Sequence, residues 1–385
     1  MSLAITVATL LVLSLILFLL RKKFSWHSKY FPLFYFAIYR TKLGLKTMSY
    51  FSKKFYKFFK IISLPVIIIS FLGMILVSFD LIKTIYTVLF STSNSVSVGL
   101  VLPFEIKGAF YVPLIYWMIS IIFIAVVHEF SHGVFAMAHK IPIKSSGFAF
   151  VGLLLPLIPA AFVEPNEKIL FKSKAFKQLS VFSAGPFINI LIGFVFMAVY
   201  FFMFVPVANN IYDYPGVEIV DFFKGYAPAK ATNIKIGEVI NQFDNTKINT
   251  VQEFTNYFEN KKPGELIKIT TDKSSYEVVL SGTDEPKLGV FVEQAKIMKP
   301  FVVQNYGFVA KVFIWFKDLF YWLFFLNLGV GFFNLAPIGP LDGGRMLHVL
   351  LQKYIPHKHV KIIWHGVSTV FIIAIVGSLV LGLIK

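Results

Sequence analysis

Two histidines four residues apart with a glutamate between them, His128, Glu129 and His132 in the segment HEFSH, are the side chains of this sequence best suited to do chemistry. On a helix they share one face, so both imidazoles can reach a single Zn2+. The glutamate is then placed to act as general base on a metal-activated water. The pentapeptide lies inside an apolar run, Tyr111 to Met137, long enough to cross a bilayer. Every residue from Ile121 to Val127 is apolar. Ionisable groups are costly at that depth and mark functional sites.

A catalytic zinc takes three protein ligands and leaves one position open. The third can be sought among the acids, which number 20. Twelve fall between Asp213 and Glu285; the others are Asp80, Glu105, Glu129, Glu164, Glu167, Glu293, Asp318 and Asp342. Only Glu129 and Asp342 sit in apolar sequence with special local chemistry. Asp342 belongs to NLAPIGPLDGGR, residues 334–345, directly after the apolar run Leu319 to Phe333. Pro337, Gly339, Pro340, Gly343 and Gly344 break a helix there and let backbone approach closely. His128, His132 and Asp342 make the expected ligand set.

HEFSH in a membrane helix, then SAGPFIN at residues 183–189, then NLAPIGPLDGGR, resembles the site-2 protease family of intramembrane zinc metalloproteases. The motifs come in the family's order and cover the chain from about Tyr111 to Gln352. The resemblance implies zinc held by His128, His132 and Asp342, with Glu129 as catalytic base. It also implies that Asn189 and Asn334, which match the family's motif asparagines, act near the substrate backbone or the metal, as donors to a developing oxyanion or as holders of the substrate. The expected substrates are transmembrane proteins cut within or near their spans.

Composition agrees with a membrane protein: 57% of residues are hydrophobic and mean hydropathy is +0.72. No cysteine is present, which excludes disulfides and thiolate metal sites. The net charge of +17 is concentrated where it argues against nucleic acid. From Arg21 to Lys60 there are eleven Lys or Arg and no acid, interleaved with Phe, Tyr and Trp, as in a cytoplasmic loop lying on the lipid bilayer. Six spans follow: Leu3–Leu20, Ile61 to Val77 or on to Phe90, Tyr111–Met137, Leu179–Val205, Phe301–Phe333 and Ile362–Ile384. The stretch 148–162 carries Gly152, Pro156 and Pro159 and reads as a re-entrant hairpin. An edge of the segment 147–152 could there take up an unwound substrate as an added strand.

Between the fourth and fifth spans the chemistry changes. Asp213 to Glu285 holds twelve acids against eight lysines, net −4. Residues 217–220, 238–243, 266–270 and 276–280 read as strands, and Thr250 with Glu253 as a capping box opening a helix through Phe258. The run 225–240 resembles a PDZ domain of bacterial type, with residues 214–217 as its carboxylate-binding loop. The expected fold is therefore a polytopic α-helical membrane protein of about six transmembrane helices with a re-entrant β-hairpin-like segment, plus a small α+β PDZ-like domain. Its expected organisation is an N-terminal membrane region (1–108), a first protease-core part (109–208), a PDZ-like domain outside the cytoplasm (209–288), and a second core part with the last span (289–385). That domain would bind a peptide or gate substrate outer domains by size. A zinc transporter and a membrane-anchored PDZ scaffold are the competing classes. The first calls for several metal sites along a pathway, and the second has no use for HExxH and DGG.

Overall fold

The computed structural model describes residues 3–30, 34–90, 100–103, 109–153, 155–223, 232–281 and 288–384. The chain divides into two compact units, residues 1–200 with 318–385, and residues 201–317. The second unit reaches past the 209–288 expected, because Val290–Gln294 is a strand of its main sheet and the ends of its flanking helices cluster with it.

The first unit begins with α1 (Leu3–Leu19). Two strands follow, β1 (Ser25–Tyr30) and β2 (Phe34–Thr41), then α2 (Leu45–Lys54) and the 35-residue α3 (Tyr56–Phe90). Short parallel strands β3 (Leu100–Leu102) and β4 (Ala109–Tyr111) lead into α4 (Leu114–Ala138), which carries HEFSH. A hairpin of β5 (Ile143–Leu153) and β6 (Leu155–Pro165) comes next, then α5 (Glu167–Lys172) and α6 (Ala175–Val199). The helices Tyr56–Tyr86, Leu114–Ala138, Ala175–Ile211 and His357–Val380 are long and apolar enough to cross a membrane. Ile68, Leu72, Ile75 and Phe79 of α3 are exposed, as a lipid-facing surface requires, while Ser63 and Ser70 face inward.

The segment Arg21–Lys60, expected as a loop lying on the bilayer, contains β1, β2 and α2. β1 and β2 pair with each other, and β2 runs antiparallel to β5 with Tyr39 opposite Phe148. The sheet order is β1-β2-β5-β6. The stretch 148–162 does form a hairpin, but the segment 147–152 has no free edge, since β2 takes one side and β6 the other. The outer strand of the sheet is β6, the second strand of the hairpin.

The second unit opens with α7 (Val205–Ile211). It continues with β7 (Tyr212–Asp213), β8 (Val217–Phe222), β9 (Val239–Phe243) and β10 (Thr246–Lys247). Then come α8 (Val251–Phe258), β11 (Leu266–Thr271), β12 (Ser275–Val279), β13 (Val290–Gln294) and β14 (Ile297–Met298). The main sheet runs β12-β11-β9-β8-β13. Alternation buries Val217 and Ile219 of β8 and Ile267 and Ile269 of β11, and the Phe243 ring packs against Tyr257 of α8 at 4.7 Å. Thr250 caps α8 by accepting from the Glu253 amide at 3.1 Å, and the Glu253 carboxylate accepts from Asn249 N in return. Residues 225–231 of the expected small-residue helix lie outside the described residues.

Three helices close the chain: α9 (Pro300–Asn334), with a non-helical residue at Tyr306, α10 (Asp342–Tyr354), and α11 (His357–Ile384).

Candidate metal centre

α4 sets His128 and His132 one turn apart, with their ring centroids 4.7 Å from each other and their Nε2 atoms 3.1 Å apart. Asp342 arrives from far along the chain as the first residue of α10. Its Oδ2 lies 3.0 Å from His128 Nε2 and 3.1 Å from His132 Nε2. The helix cap here is Leu341, which makes no side-chain capping bond, so the Asp342 carboxylate is spent on the imidazoles.

The loop before α10 delivers that carboxylate through close backbone packing. A Cβ on Gly343 would stand 2.2 Å from the Leu335 carbonyl oxygen, and one on Gly344 would stand 2.0 Å from that of Ile338. Leu335, Ala336 and Met346 are fully buried around it. α11 ties the loop down: Ser368 Oγ accepts from Gly339 N at 3.0 Å, and Trp364 Nε1 donates to Gly344 O at 2.8 Å.

Gly185 explains the small residues of the second motif. A Cβ there would lie 2.4 Å from His132 Nε2 and 2.5 Å from His128 Nε2. The α6 backbone thus passes directly against the donor atoms. The same helix orients both rings from behind. His132 Nδ1 donates to Val181 O at 2.6 Å, which leaves Nε2 with a free lone pair. Asn189, fully buried, places its amide 3.0 Å from His128 Nδ1.

Glu129 stands beside the triad, with the donor atoms of His128, Glu129 and His132 within 4.8 Å of one another. Its Oε2 accepts from Val163 N of β6 at 2.9 Å. The carboxylate lines a cavity of about 100 Å3 between α4, α2 and the β5–β6 hairpin. Asn334 is not drawn into the cluster: its amide donates to Val330 O, one turn back in α9, at 3.0 Å. Nor does His348 join it, since that ring packs on Trp364.

The donor set fits zinc. A tetrahedral ion with bonds of about 2.0 Å wants donors roughly 3.3 Å apart, and the three separations here are 3.0, 3.1 and 3.1 Å. Two imidazoles and a carboxylate, each nearly buried, would be costly to bring together without a partner charge. The structure brings together the three side chains and Glu129 that the sequence singles out. The bond to Val181 O and the close approach of Gly185 are not read from the sequence, and only the glycine has a signal, its place between Ala184 and Pro186.

The chain is 29% identical over 313 residues to an uncharacterized protein of Methanocaldococcus jannaschii, a match covering 80% of this chain and 75% of that relative. Part of it is similar to the solved PDZ domain of the SdrC-like protein from Listeria monocytogenes, at 26% identity, with 20% of this chain and 88% of that one covered and a TM-score of 0.19. The model of peptidase family M50 matches residues 116–375, a stretch that takes in HEFSH, the Gly185 crossing and Asp342. The chain therefore belongs to peptidase family M50, the site-2 protease family of membrane metallopeptidases.

Proposed function

We propose that this protein is an intramembrane zinc endopeptidase that cuts transmembrane protein substrates within or near their spans. The observation that carries the reading is the convergence of His128, His132 and Asp342 on one point, with the Glu129 carboxylate beside it over a small cavity. Zinc held by those three side chains would supply Lewis acidity towards water and a peptide carbonyl oxygen.

The chain's own residues divide the remaining work. Glu129 takes the proton of the attacking water and later passes it to the leaving amine. Its bond from Val163 N holds the carboxylate on the side of β6, and the cavity around it has room for water at membrane depth. A substrate helix must unwind before its carbonyls can be attacked. As an added strand it would run along β6, the outer strand of the sheet, and so past Glu129. Asn189 holds His128 in place, and Asn334 is assigned to the substrate backbone.

The second unit is read as a PDZ-like domain outside the cytoplasm that screens substrates by the size of their outer domains. Gln294 of β13 accepts from Val251 N at the start of α8 and donates to Asn249 O and Gly216 O. These bonds tie the edge strand β13 to α8 and favour a gate over a peptide-binding groove. They also engage the carbonyl of Gly216, within the expected carboxylate-binding turn.

The test is zinc content together with cleavage of a defined membrane-span substrate. Glu129→Gln should keep stoichiometric zinc and lose cleavage, while His128→Ala, His132→Ala and Asp342→Ala should each lose zinc. Full activity in Glu129→Gln would sink the mechanism. Zinc transport with the substrate left intact would indicate a transporter, and a protein without zinc a scaffold.

A further inference from the structure

Away from the metal centre, three helix ends meet at a buried polar knot. Ser63 of α3, Ser180 of α6 and His139, the residue after α4, are all buried. Ser180 Oγ donates to Ser63 Oγ at 2.8 Å, and His139 Nε2 lies 3.1 Å from Ser63 Oγ and 2.9 Å from Ser180 Oγ. The knot fixes what surrounds it. Lys60 is three residues before Ser63 and Lys177 three residues before Ser180, each one turn nearer its helix's start, and Lys140 follows His139. All three ammonium groups lie within electrostatic reach of the Tyr56 hydroxyl, at one end of the bundle.

Local physics disfavours a cation at Lys60 and Lys177 and strains the backbone at Lys140. α3 and α6 have no acid in their first turns and α6 has no side-chain cap, yet both carry lysines at the positive end of the helix dipole. Lys140 sits at φ +65°, in the left-handed turn that ends α4, with Ile141 N donating to Ala136 O and Lys140 N to Met137 O. Glycine is the usual occupant of that position, and another residue there is strained. Among the described residues none of the three lysines forms an ion pair, although Arg40 and Lys144 share Glu164 on the nearby sheet. Lys60 donates to the Tyr56 hydroxyl, whose own proton is left for an acceptor. Phe58, Phe171 and Phe176 are exposed around the cluster, as side chains at a lipid headgroup level are.

We infer that Lys60, Lys140 and Lys177, with Tyr56, form a binding site for the phosphate of an anionic phospholipid headgroup. An anion there would relieve the repulsion among the lysines and at the helix starts together. The acyl chains would lie along the exposed apolar faces of α3 and α6.

The full-length protein, stripped of lipid in detergent, can be titrated with phosphatidylglycerol or phosphatidylcholine and read by native mass spectrometry. The wild type should hold phosphatidylglycerol at least about ten-fold more tightly than phosphatidylcholine. Each lysine near such a charge contributes a factor of about five, so the triple variant Lys60→Gln, Lys140→Gln, Lys177→Gln should lose most of that preference. The charge-matched triple Lys353→Gln, Lys358→Gln, Lys361→Gln should keep it. Lys140→Gly removes one cation and relaxes the turn. It should fold at least as well as wild type and bind the lipid about five-fold more weakly. Equal retention of the two lipids, equal loss in both triples, or unchanged binding in Lys140→Gly would overturn the site. So would displacement of the lipid by inorganic phosphate, which would make the ligand a soluble anion.

Discussion

The Asn189 amide meets the His128 imidazole 3.0 Å from Nδ1, on the ring edge opposite Asp342, and its Oδ1 has no other hydrogen-bond partner. With Nε2 turned to the metal centre, Nδ1 carries the ring proton and needs an acceptor. Half a turn of the amide supplies Oδ1. Asn189 thus touches His128 on the ring edge turned away from Asp342, where it would position a metal ligand rather than meet a substrate. Asn189→Ala should weaken zinc binding by about 10–100-fold, measured by chelator competition. Asn189→Asp, which keeps an acceptor, should retain most of the affinity. Unchanged affinity in the alanine variant would return Asn189 to the substrate side.

Gly185→Ala should disable the centre although it alters no donor. The new methyl would fall 2.4–2.6 Å from ring atoms of His132 and His128. Overpacking of this kind costs about 1–3 kcal/mol, and here the strain falls on two ligands at once. Zinc content and cleavage should both collapse. Gly329→Ala in α9, where a Cβ meets nothing within 4 Å, should leave both unchanged.

The second unit should respond to pH through Asp244. Backbone donation from Lys268 N and the Tyr257 hydroxyl hold the Asp244 carboxyl below its ordinary range, with Lys261 adding to the shift. A depressed carboxylate stabilises the fold at pH above its unfolded value, near 4, and that contribution fades as pH falls through the folded value. Asp244→Asn should therefore speed amide exchange at Lys268 at pH 7, with the difference from wild type closing in acid. Burial, then the bond to Asp244, pushes the Tyr257 hydroxyl up to about 12, so on the alkaline side stability should fall between about pH 10 and 12. A difference that persists unchanged in acid would show that the Asp244 charge is not what stabilises this corner.

Topology can be read with single cysteines in this cysteine-free chain. Lys53 in α2 and Lys235 in the second unit are both exposed. If α2 lies on the cytoplasmic surface, three crossings separate it from the second unit. In intact cells a membrane-impermeant thiol reagent should label Lys235→Cys and leave Lys53→Cys untouched. The reverse pattern would place the gating unit in the cytoplasm.

Much of this protein is local in the chain, and that part is legible in its sequence. The i, i+4 spacing of His128 and His132, the Asp342-Gly343-Gly344 step after an apolar run, the alternation in β8 and β11, and the Thr250–Glu253 cap all act within a few residues, where periodicity and propensity report directly. Other features depend on partners a hundred or more residues away. β2 pairs with β5 across such a gap, so a segment whose charge reads as surface loop is instead part of a sheet that leaves the segment 147–152 no free edge. Charge pattern carries no information on strand partners. The edge of His128 that Asn189 meets, and the contact of Gly185 with both histidines, follow from how closely α6 packs on α4. That distance is set by side-chain volumes on both helices together. Only the folded chain brings these volumes into contact, and with them the back of the candidate site.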